Sequence, residues 1–395
     1  MARSIPASAL VLVLLLLAAC GGGSSSPPPS PVSPTPSSNA IATPTTPAPS
    51  TTYLFVYREF GREQDTIWRV VPSDPSQRER LAVIPHRADW GVIPSLSPDG
   101  KLLAYLTMPE RAFDTSSQAE AYILDLKSGK TNRIAAEVDL LLPPLWSPDG
   151  NLLFLRRDTG LDVMILQVDL AKSEKDPDHI TTVLEANTGD LQSAIPIGFA
   201  GDGRSLYLIQ IQGNGDTVLA TLALSGSIKS QTTVLRLAQG RGTRDYDLSP
   251  DSKRLTFLAQ ELVGGRLLFR AFVADLVGRS VTPLSTEGLS TGDHLRPLWR
   301  PDGARIALGQ TPSAGRPGAV ALVPPDGGAP SFLPPPTSGF DLPQSWAPDG
   351  SYLAVTSQEG DNPGKTWLVL VAPTGRRVTV GQGVDAVVVG WMKQE

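Results

Sequence analysis

Short apolar segments alternate with turn residues along the chain from about residue 53 onward. Six times an aromatic residue, or a leucine, precedes a Ser-Pro-Asp-Gly motif or a close variant, and a strand-like segment such as Leu103-Ala104-Tyr105-Leu106 follows. The motif aspartates are Asp99, Asp149, Asp202, Asp251, Asp302 and Asp349. Their spacings are 50, 53, 49, 51 and 47 residues. A recurrence at one such period predicts a repeat architecture.

The motif has the chemistry of a hairpin turn. Serine, proline, aspartate and glycine in this order suit a type I turn whose last residue is left-handed, and such a turn joins two antiparallel strands. Two copies depart from it at the proline or the glycine, because Gly201 replaces the proline and Ser252 replaces the glycine. Each period contains two further strand-like segments, for example Tyr122–Leu126. Four strands per period of this length are typical of a β-propeller blade.

The two ends of the repeat region complement each other. Tyr53–Val56, Ile67–Val71 and Arg80–Val83 are predicted to be strands two, three and four of a blade that lacks its first strand. Ala386–Trp391 is predicted to be a first strand without a blade. Pairing the C-terminal strand with the N-terminal blade therefore predicts an all-β, seven-bladed β-propeller, with 343 residues (53–395) giving 49 per blade. Six blades with frayed ends are the alternative.

The repeat resembles the TolB-type propeller repeat, a relative of the WD-type repeat, over nearly all of residues 53–395. The resemblance implies the fold. TolB proteins also have a small α/β domain ahead of the propeller, where this chain has a linker, so the partnership of TolB with a peptidoglycan-associated lipoprotein is not implied. Four tryptophans share one repeat position and are expected to pack between blades: Trp146, Trp299, Trp346 and Trp391.

The N-terminal residues predict export. An apolar run from Ala7 to Leu17 follows Arg3 and is shorter than the roughly 20 residues that span a bilayer, which is typical of a signal peptide. Leu17-Ala18-Ala19-Cys20 resembles the lipobox of bacterial lipoproteins, and Cys20 is the only cysteine. The resemblance implies lipidation of Cys20, with fatty acids such as palmitate, and an extracytoplasmic, membrane-anchored protein at the cell surface or in the periplasm. An ordinary signal peptide with a chance cysteine is the alternative.

Composition separates three segments. Residues 1–20 are predicted to be the lipoprotein signal peptide, 21–52 a disordered Pro/Ser/Gly-rich tether, and 53–395 the propeller. The net charge is −5, from 34 Lys+Arg and 39 Asp+Glu, with no basic stripe. Nucleic acid is therefore not an expected partner. The expected partners are the membrane, through the lipid on Cys20, and a protein, peptide or glycan ligand.

One acidic pattern stands out among the candidate sites. Each blade has an aspartate shortly before or at the start of its inner strand: Asp89, Asp139, Asp190, Asp245, Asp293, Asp341 and Asp385. A ring of these carboxylates at one channel mouth would favour a cation, such as Ca²⁺, or a cationic ligand. The alternative is that each aspartate only caps backbone N–H groups in its turn. No cofactor is expected otherwise.

Catalytic chemistry has little support in the sequence. The three histidines His86, His179 and His294 are scattered and form a poor ligand set for a transition metal. Gly288–Gly292 matches G-x-S-x-G, but it is predicted to be a loop between blades and not a strand-to-helix elbow. We therefore expect a non-enzymatic binding or scaffolding module. A cation-dependent lyase or hydrolase that uses the channel is the alternative.

Overall fold

A computed structural model of the chain describes residues 53–109, 119–172, 175–224, 231–285, 287–289, 291–313, 315–360, 365–382 and 386–394. Within these ranges every regular element is a β-strand. None of the described residues belongs to an apolar helix long enough to span a bilayer. The predicted signal peptide, Cys20 and the tether lie outside the described residues and stay predictions.

The strands follow one another with short connections. The first seven are β1 (Tyr53–Glu59), β2 (Gln64–Val71), β3 (Asp74–Pro85), β4 (Val92–Leu96), β5 (Leu102–Thr107), β6 (Ala119–Asp125) and β7 (Thr131–Val138). The next seven are β8 (Leu145–Trp146), β9 (Leu152–Asp158), β10 (Asp162–Asp169), β11 (Ile180–Asn187), β12 (Leu191–Phe199), β13 (Ser205–Gln212) and β14 (Thr217–Ala223). Then come β15 (Gln231–Ala238), β16 (Thr243–Leu248), β17 (Arg254–Val263), β18 (Arg266–Asp275), β19 (Ser280–Pro283), β20 (His294–Trp299) and β21 (Ile306–Gln310). The last are β22 (Ala321–Val323), β23 (Ser331–Phe332), β24 (Phe340–Trp346), β25 (Leu353–Gln358), β26 (Thr366–Val371), β27 (Arg377–Gln382) and β28 (Ala386–Lys393).

These strands form seven antiparallel, four-stranded sheets. Six sheets take four consecutive strands each, from β4–β7 to β24–β27, and the seventh has the order β28-β1-β2-β3. In that sheet Trp391 lies opposite Phe55 and Ala386 opposite Glu59. The predicted seven-bladed propeller, closed by the C-terminal strand, is confirmed. We number the β28-β1-β2-β3 sheet blade 1 and the others 2 to 7 in chain order; the inner strands are β28, β4, β8, β12, β16, β20 and β24.

The repeated turn is held by its own side chains. In blade 2 the Ser97 hydroxyl donates to Asp99 Oδ1 over 2.7 Å and accepts from the Leu102 amide over 2.9 Å. The Gly100 amide donates to the Ser97 carbonyl over 2.9 Å, and Gly100 has a φ of 73°, as the type I turn requires. The hydrogen bond from Ser97 lowers the pKa of Asp99, so the carboxylate that closes the turn is charged at neutral pH.

Ser252 adopts the left-handed conformation that glycine takes in the other turns, with a φ of 55°. A side chain costs about 1–2 kcal/mol there, and the greater freedom of glycine in the unfolded chain offsets part of the gain on its removal. We expect Ser252→Gly to raise the free energy of unfolding by about 0.5–1 kcal/mol, measured by urea denaturation. The reverse change at the equivalent turn position, Gly303→Ser, should lower it by a similar amount. Equal stabilities for the variants and the parent chain would contradict this account.

The hydrophobic core is divided among the interfaces between blades. Phe55 of blade 1 packs with Leu370 of blade 7 in one buried cluster, and its ring centroid lies 4.9 Å from that of Trp391. The repeated tryptophans pack as predicted. The Trp146 indole donates to the Ser95 carbonyl of the preceding blade over 3.2 Å, and that of Trp391 donates to Ser345 Oγ over 3.1 Å. Each such contact ties one inner strand to the inner strand before it.

Candidate functional site

A group of charged and polar side chains joins the inner strands of blades 5, 6 and 7. We call Arg244, Asp245 and Asp247 of β16, Arg296 of β20 and Gln344 of β24 the channel cluster. Successive inner strands contact one another around the ring and surround the central channel. The cluster therefore lies at one side of the channel wall, where two carboxylates and two guanidinium groups meet.

Matching β-bulges place two of these side chains. The register of β16 shifts between Arg244 and Asp247, and that of β20 shifts between Leu295 and Leu298. Asp245 and Arg296 occupy the same repeat position in these bulges, with φ values of 56° and 27°. Left-handed backbone is strained in a residue with a side chain, and bulges redirect side chains. The neighbouring blades thus present an aspartate and an arginine from equivalent bulges.

Contacts within blade 5, between blades 5 and 6 and between blades 6 and 7 hold the cluster together. The Trp299 amide of β20 donates to Asp247 Oδ2 over 2.6 Å. The Arg296 guanidinium donates to Gln344 Oε1 over 2.5 Å. Arg244 Nε lies 3.4 Å from Asp245 Oδ2, and its guanidinium stacks 4.0 Å from the Phe269 ring centroid. These contacts fix the positions of the charged groups before any ligand binds, which lowers the entropic cost of binding.

Burial in the cluster raises the pKa values of its two carboxyl groups. Removal from bulk water raises the pKa of Asp247 to about 7, against the opposing effects of the Trp299 amide and Arg296. Burial also raises the pKa of Asp245, which Arg244 and Arg296 oppose. Asp247 can therefore both donate and accept hydrogen bonds near neutral pH. Perturbed acids of this kind are enriched at functional sites.

The raised pKa of Asp247 predicts how stability depends on pH. The Asp247 carboxyl binds its proton more tightly in the folded protein than in the unfolded chain, where its pKa is near 3.8. Its ionisation therefore lowers the free energy of unfolding progressively as the pH rises from about 4 to about 7. We expect Asp247→Asn to increase the free energy of unfolding by about 2 kcal/mol at pH 8 and by little at pH 4. Urea denaturation at several pH values measures this.

The matched control is Asp302→Asn, in the exposed turn of blade 6. It should leave the slope of stability against pH unchanged between these limits. A parent chain and an Asp247→Asn variant with parallel pH profiles would show that the carboxyl of Asp247 is not desolvated in the folded state.

The predicted ring aspartates occupy different environments. Asp341 is 1% exposed and binds Arg377 through both oxygens, over 2.7 and 3.0 Å. Asp139 is also buried and forms an ion pair with Arg156. Asp293 Oδ1 accepts from the Phe269 amide over 2.8 Å. These three carboxylates already have partners within the fold.

The remaining members do not gather around them. Asp89 and Asp190 are exposed, Asp245 belongs to the channel cluster, and Asp385 lies outside the described residues. Within the described ranges no three His, Cys, Asp or Glu side chains are grouped so that they could hold a metal ion. The structure thus brings only Asp245, of the six described ring members, to the channel cluster.

Sequence reasoning missed Asp247, Arg296 and Gln344. The sequence marks Asp245 and Arg296 as exceptions within the repeat. At the same repeat position the other blades have Ile93, Pro143, Pro196 and Pro343. Charged residues at a repeat position that is apolar in the other blades indicate that these side chains do not serve to pack the core. Another missed residue is Asp65, which is fully buried between blades 1 and 2.

The three histidines have structural contacts. His294 is fully buried, and burial lowers its pKa to about 4, which Arg270 reinforces. Arg270 also donates to the Thr291 and Gly292 carbonyls over 2.9 and 2.8 Å, at the end of the G-x-S-x-G string. Ser290 of that string lies outside the described residues. His86 lies 3.0 Å from Asp65, and His179 Nδ1 lies 3.0 Å from the Asp169 carbonyl.

Comparison with known proteins finds similarity in structure alone. No protein-family model matches the chain, and no curated protein matches its sequence. A prolyl endopeptidase structure is similar with a TM-score of 0.56 at 15% identity, over 85% of this chain and 50% of that one. An oligogalacturonate lyase in complex with manganese has a TM-score of 0.55 at 16% identity, over 83% and 84% of the two chains.

TolB from Acinetobacter baumannii is also similar, with a TM-score of 0.47 at 17% identity, over 89% of this chain and 88% of TolB. At these identities the similarity to the endopeptidase and the lyase structures shows the fold and no activity. Together with the similarity to the endopeptidase and lyase structures, the seven sheets and their closure identify the chain as a seven-bladed β-propeller.

Proposed function

We propose that this chain is a membrane-anchored extracytoplasmic lipoprotein whose propeller is a non-enzymatic binding or scaffolding module for a protein, peptide or glycan. The channel cluster supports the binding role, because it holds donors, acceptors and both signs of charge on three rigid inner strands. Peptides and glycans likewise present hydrogen-bond donors and acceptors close to one another. A rigid scaffold that displays such a group is a common basis of recognition.

The anchor half of the proposal rests on the lipobox-like Leu17–Cys20 and on the Pro/Ser/Gly-rich segment after it. Several acyl chains on one cysteine hold a protein firmly at a membrane. Cys20→Ala should move the protein from the membrane fraction to the soluble fraction of the cell envelope and abolish labelling with a palmitate analogue. Unchanged membrane association of the variant would overturn this half.

The binding half is tested on peptide and glycan arrays with the Cys20→Ala chain. Ligands that bind this chain should lose about tenfold or more in affinity with Arg296→Gln, because a charge-assisted hydrogen bond is worth about 1.5–3 kcal/mol. The control Arg279→Gln, an exposed arginine in the turn between the outer strands β18 and β19 of blade 5, should leave the affinity unchanged. Ligands that bind both variants equally would exclude the channel cluster as the site.

The enzymatic alternative, a lyase or hydrolase with a cation in the channel, predicts stabilisation by metal ions. Arg244 and Arg296 offset the charge of Asp245 and Asp247 and oppose cation binding there. We therefore expect the same melting temperature, within about 1 °C, in EDTA and in Ca²⁺, Mn²⁺ or Zn²⁺. A metal at 100 times its dissociation constant would add about 2.7 kcal/mol, so a metal-specific rise would favour the enzyme.

A further inference from the structure

An open cleft lies at the outer part of blade 6, separate from the channel cluster. Its volume is 510 Å³, within the range of small-ligand sites. The residues that give it its chemistry are Leu289, Ser313, Arg316, Pro317, Phe332 and Pro335. Arg316 is the one charged side chain among the described lining residues. The cleft thus combines an apolar floor with a single positive charge.

The local fold keeps this cleft open. The third and fourth strands of blade 6 are short, since β22 has three residues and β23 has two. The segment between β21 and β22 is fastened to blade 7 through Gly318, whose amide donates to the Gly339 carbonyl over 2.8 Å. A Cβ on Gly318 would lie 1.9 Å from the Gln310 carbonyl oxygen, so only glycine permits this approach. The course of the backbone therefore forms the cleft.

The lining favours an anion with an apolar body. Phe332 is 50% exposed, which is unusual for a phenylalanine in a strand and offers a ring face to a ligand. Arg316 is exposed and forms no ion pair with any residue in the described ranges. A guanidinium group and the nearby Ser313 hydroxyl supply donors for the two oxygens of a carboxylate. The Leu289, Pro317 and Pro335 side chains match an aliphatic or aromatic group attached to it.

We propose that the blade 6 cleft binds a carboxylate joined to an apolar group, as found at the free C-terminus of a peptide that ends in an apolar residue. Arg316 binds the carboxylate, and Phe332 contacts the apolar side chain. A small apolar acid has the same chemistry, and the length dependence of binding separates the two sources. This site does not depend on the channel cluster.

Isothermal titration calorimetry with the full Cys20→Ala chain tests the proposal. The probes are a pentaglycyl-phenylalanine peptide, its C-terminal amide and phenylacetate. We expect the free acid to bind about tenfold or more tightly than the amide, because the amide lacks the charge that Arg316 pairs. Tighter binding of the peptide than of phenylacetate would assign the site to peptide C-termini, and equal binding would assign it to small apolar acids.

Three variants locate the binding. Arg316→Gln should remove the preference for the acid over the amide, and Phe332→Ala should weaken both peptides by about fivefold or more. Arg266→Gln, an exposed arginine in the β17–β18 hairpin, should change neither affinity. Unchanged melting curves would show that the variants fold. Equal affinity for acid and amide in the parent chain, an affinity insensitive to Arg316→Gln, or no binding of the acid would each overturn the proposal.

Discussion

Deletion of residues 386–395 should leave the chain unable to form a cooperatively folded propeller. The deletion removes β28, the inner strand of blade 1, and exposes the pairing edge of β1 from Tyr53 to Glu59. It also removes Trp391, which contacts the Phe55 ring and bonds to Ser345 of blade 7. Loss of one large core side chain alone costs about 3–5 kcal/mol, and the free energy of folding of a domain is about 5–15 kcal/mol.

Circular dichroism and urea denaturation would measure this loss of cooperative unfolding. The matched control restores the strand in another order, with residues 386–394 placed ahead of Tyr53 through a Ser-Pro-Asp-Gly turn. Lys393 lies opposite Tyr53 in the antiparallel pair, so a tight turn joins them. This permuted chain should unfold cooperatively. A cooperative transition of the deleted chain near that of the parent would show that the ring does not need β28.

Asp65→Ala should lower the free energy of unfolding by about 3–5 kcal/mol, the cost of breaking a buried charged network. Asp65 is fully buried, and its Oδ2 accepts from the Val92 amide of the next blade over 2.8 Å. Its Oδ1 accepts from the Gly61 amide over 3.1 Å and from His86 Nε2 over 3.0 Å. Arg58 lies 3.5 Å away. The substitution leaves the Val92 and Gly61 amides and His86 without this acceptor, while Arg58 keeps its hydrogen bond to the Val92 carbonyl.

Urea denaturation of Asp65→Ala beside Asp89→Ala separates burial from charge. Asp89 belongs to the same connection between blades 1 and 2, but its side chain is 64% exposed and lies 3.8 Å from Arg62. Its loss should change stability by less than about 0.5 kcal/mol. Similar destabilisation by the two substitutions would contradict the view that Asp65 is the residue that fastens the two blades.

The repeat explains why so much of the fold could be predicted. The Ser97–Leu102 turn is held by hydrogen bonds between residues at most five apart. A short stretch of sequence therefore determines its geometry. In the turns of blades 2 to 7 the motif aspartate accepts from the amide two residues ahead, and the serine–aspartate bond recurs in blades 3 and 5. The unpaired strands at the two ends left one closure. Ser252 in the left-handed position shows that the turn geometry tolerates even the loss of its glycine.

The predicted ring of aspartates shows that the repeat does not determine the partners of individual carboxylates. Their similar positions suggested a common role, yet Asp341 bonds to Arg377 while Asp89 is exposed. The partner of each carboxylate lies on another strand, 36 residues away for Asp341 and 17 for Asp139, which pairs with Arg156. A pattern of turn residues does not contain these partners, so the role of the ring as a cation site stays a prediction.

The sequence by itself determined the all-β class, the blade period and the closure of the ring, because these depend on local turns and on alternation along single strands. Only the tertiary structure decided where charged groups meet. Asp247 and the Trp299 amide are 52 residues apart, and Arg296 and Gln344 are 48 apart. Their meeting depends on the β-bulges of β16, β20 and β24, which redirect side chains, and on the packing of neighbouring blades. Neither leaves a local signal strong enough to place one side chain against another.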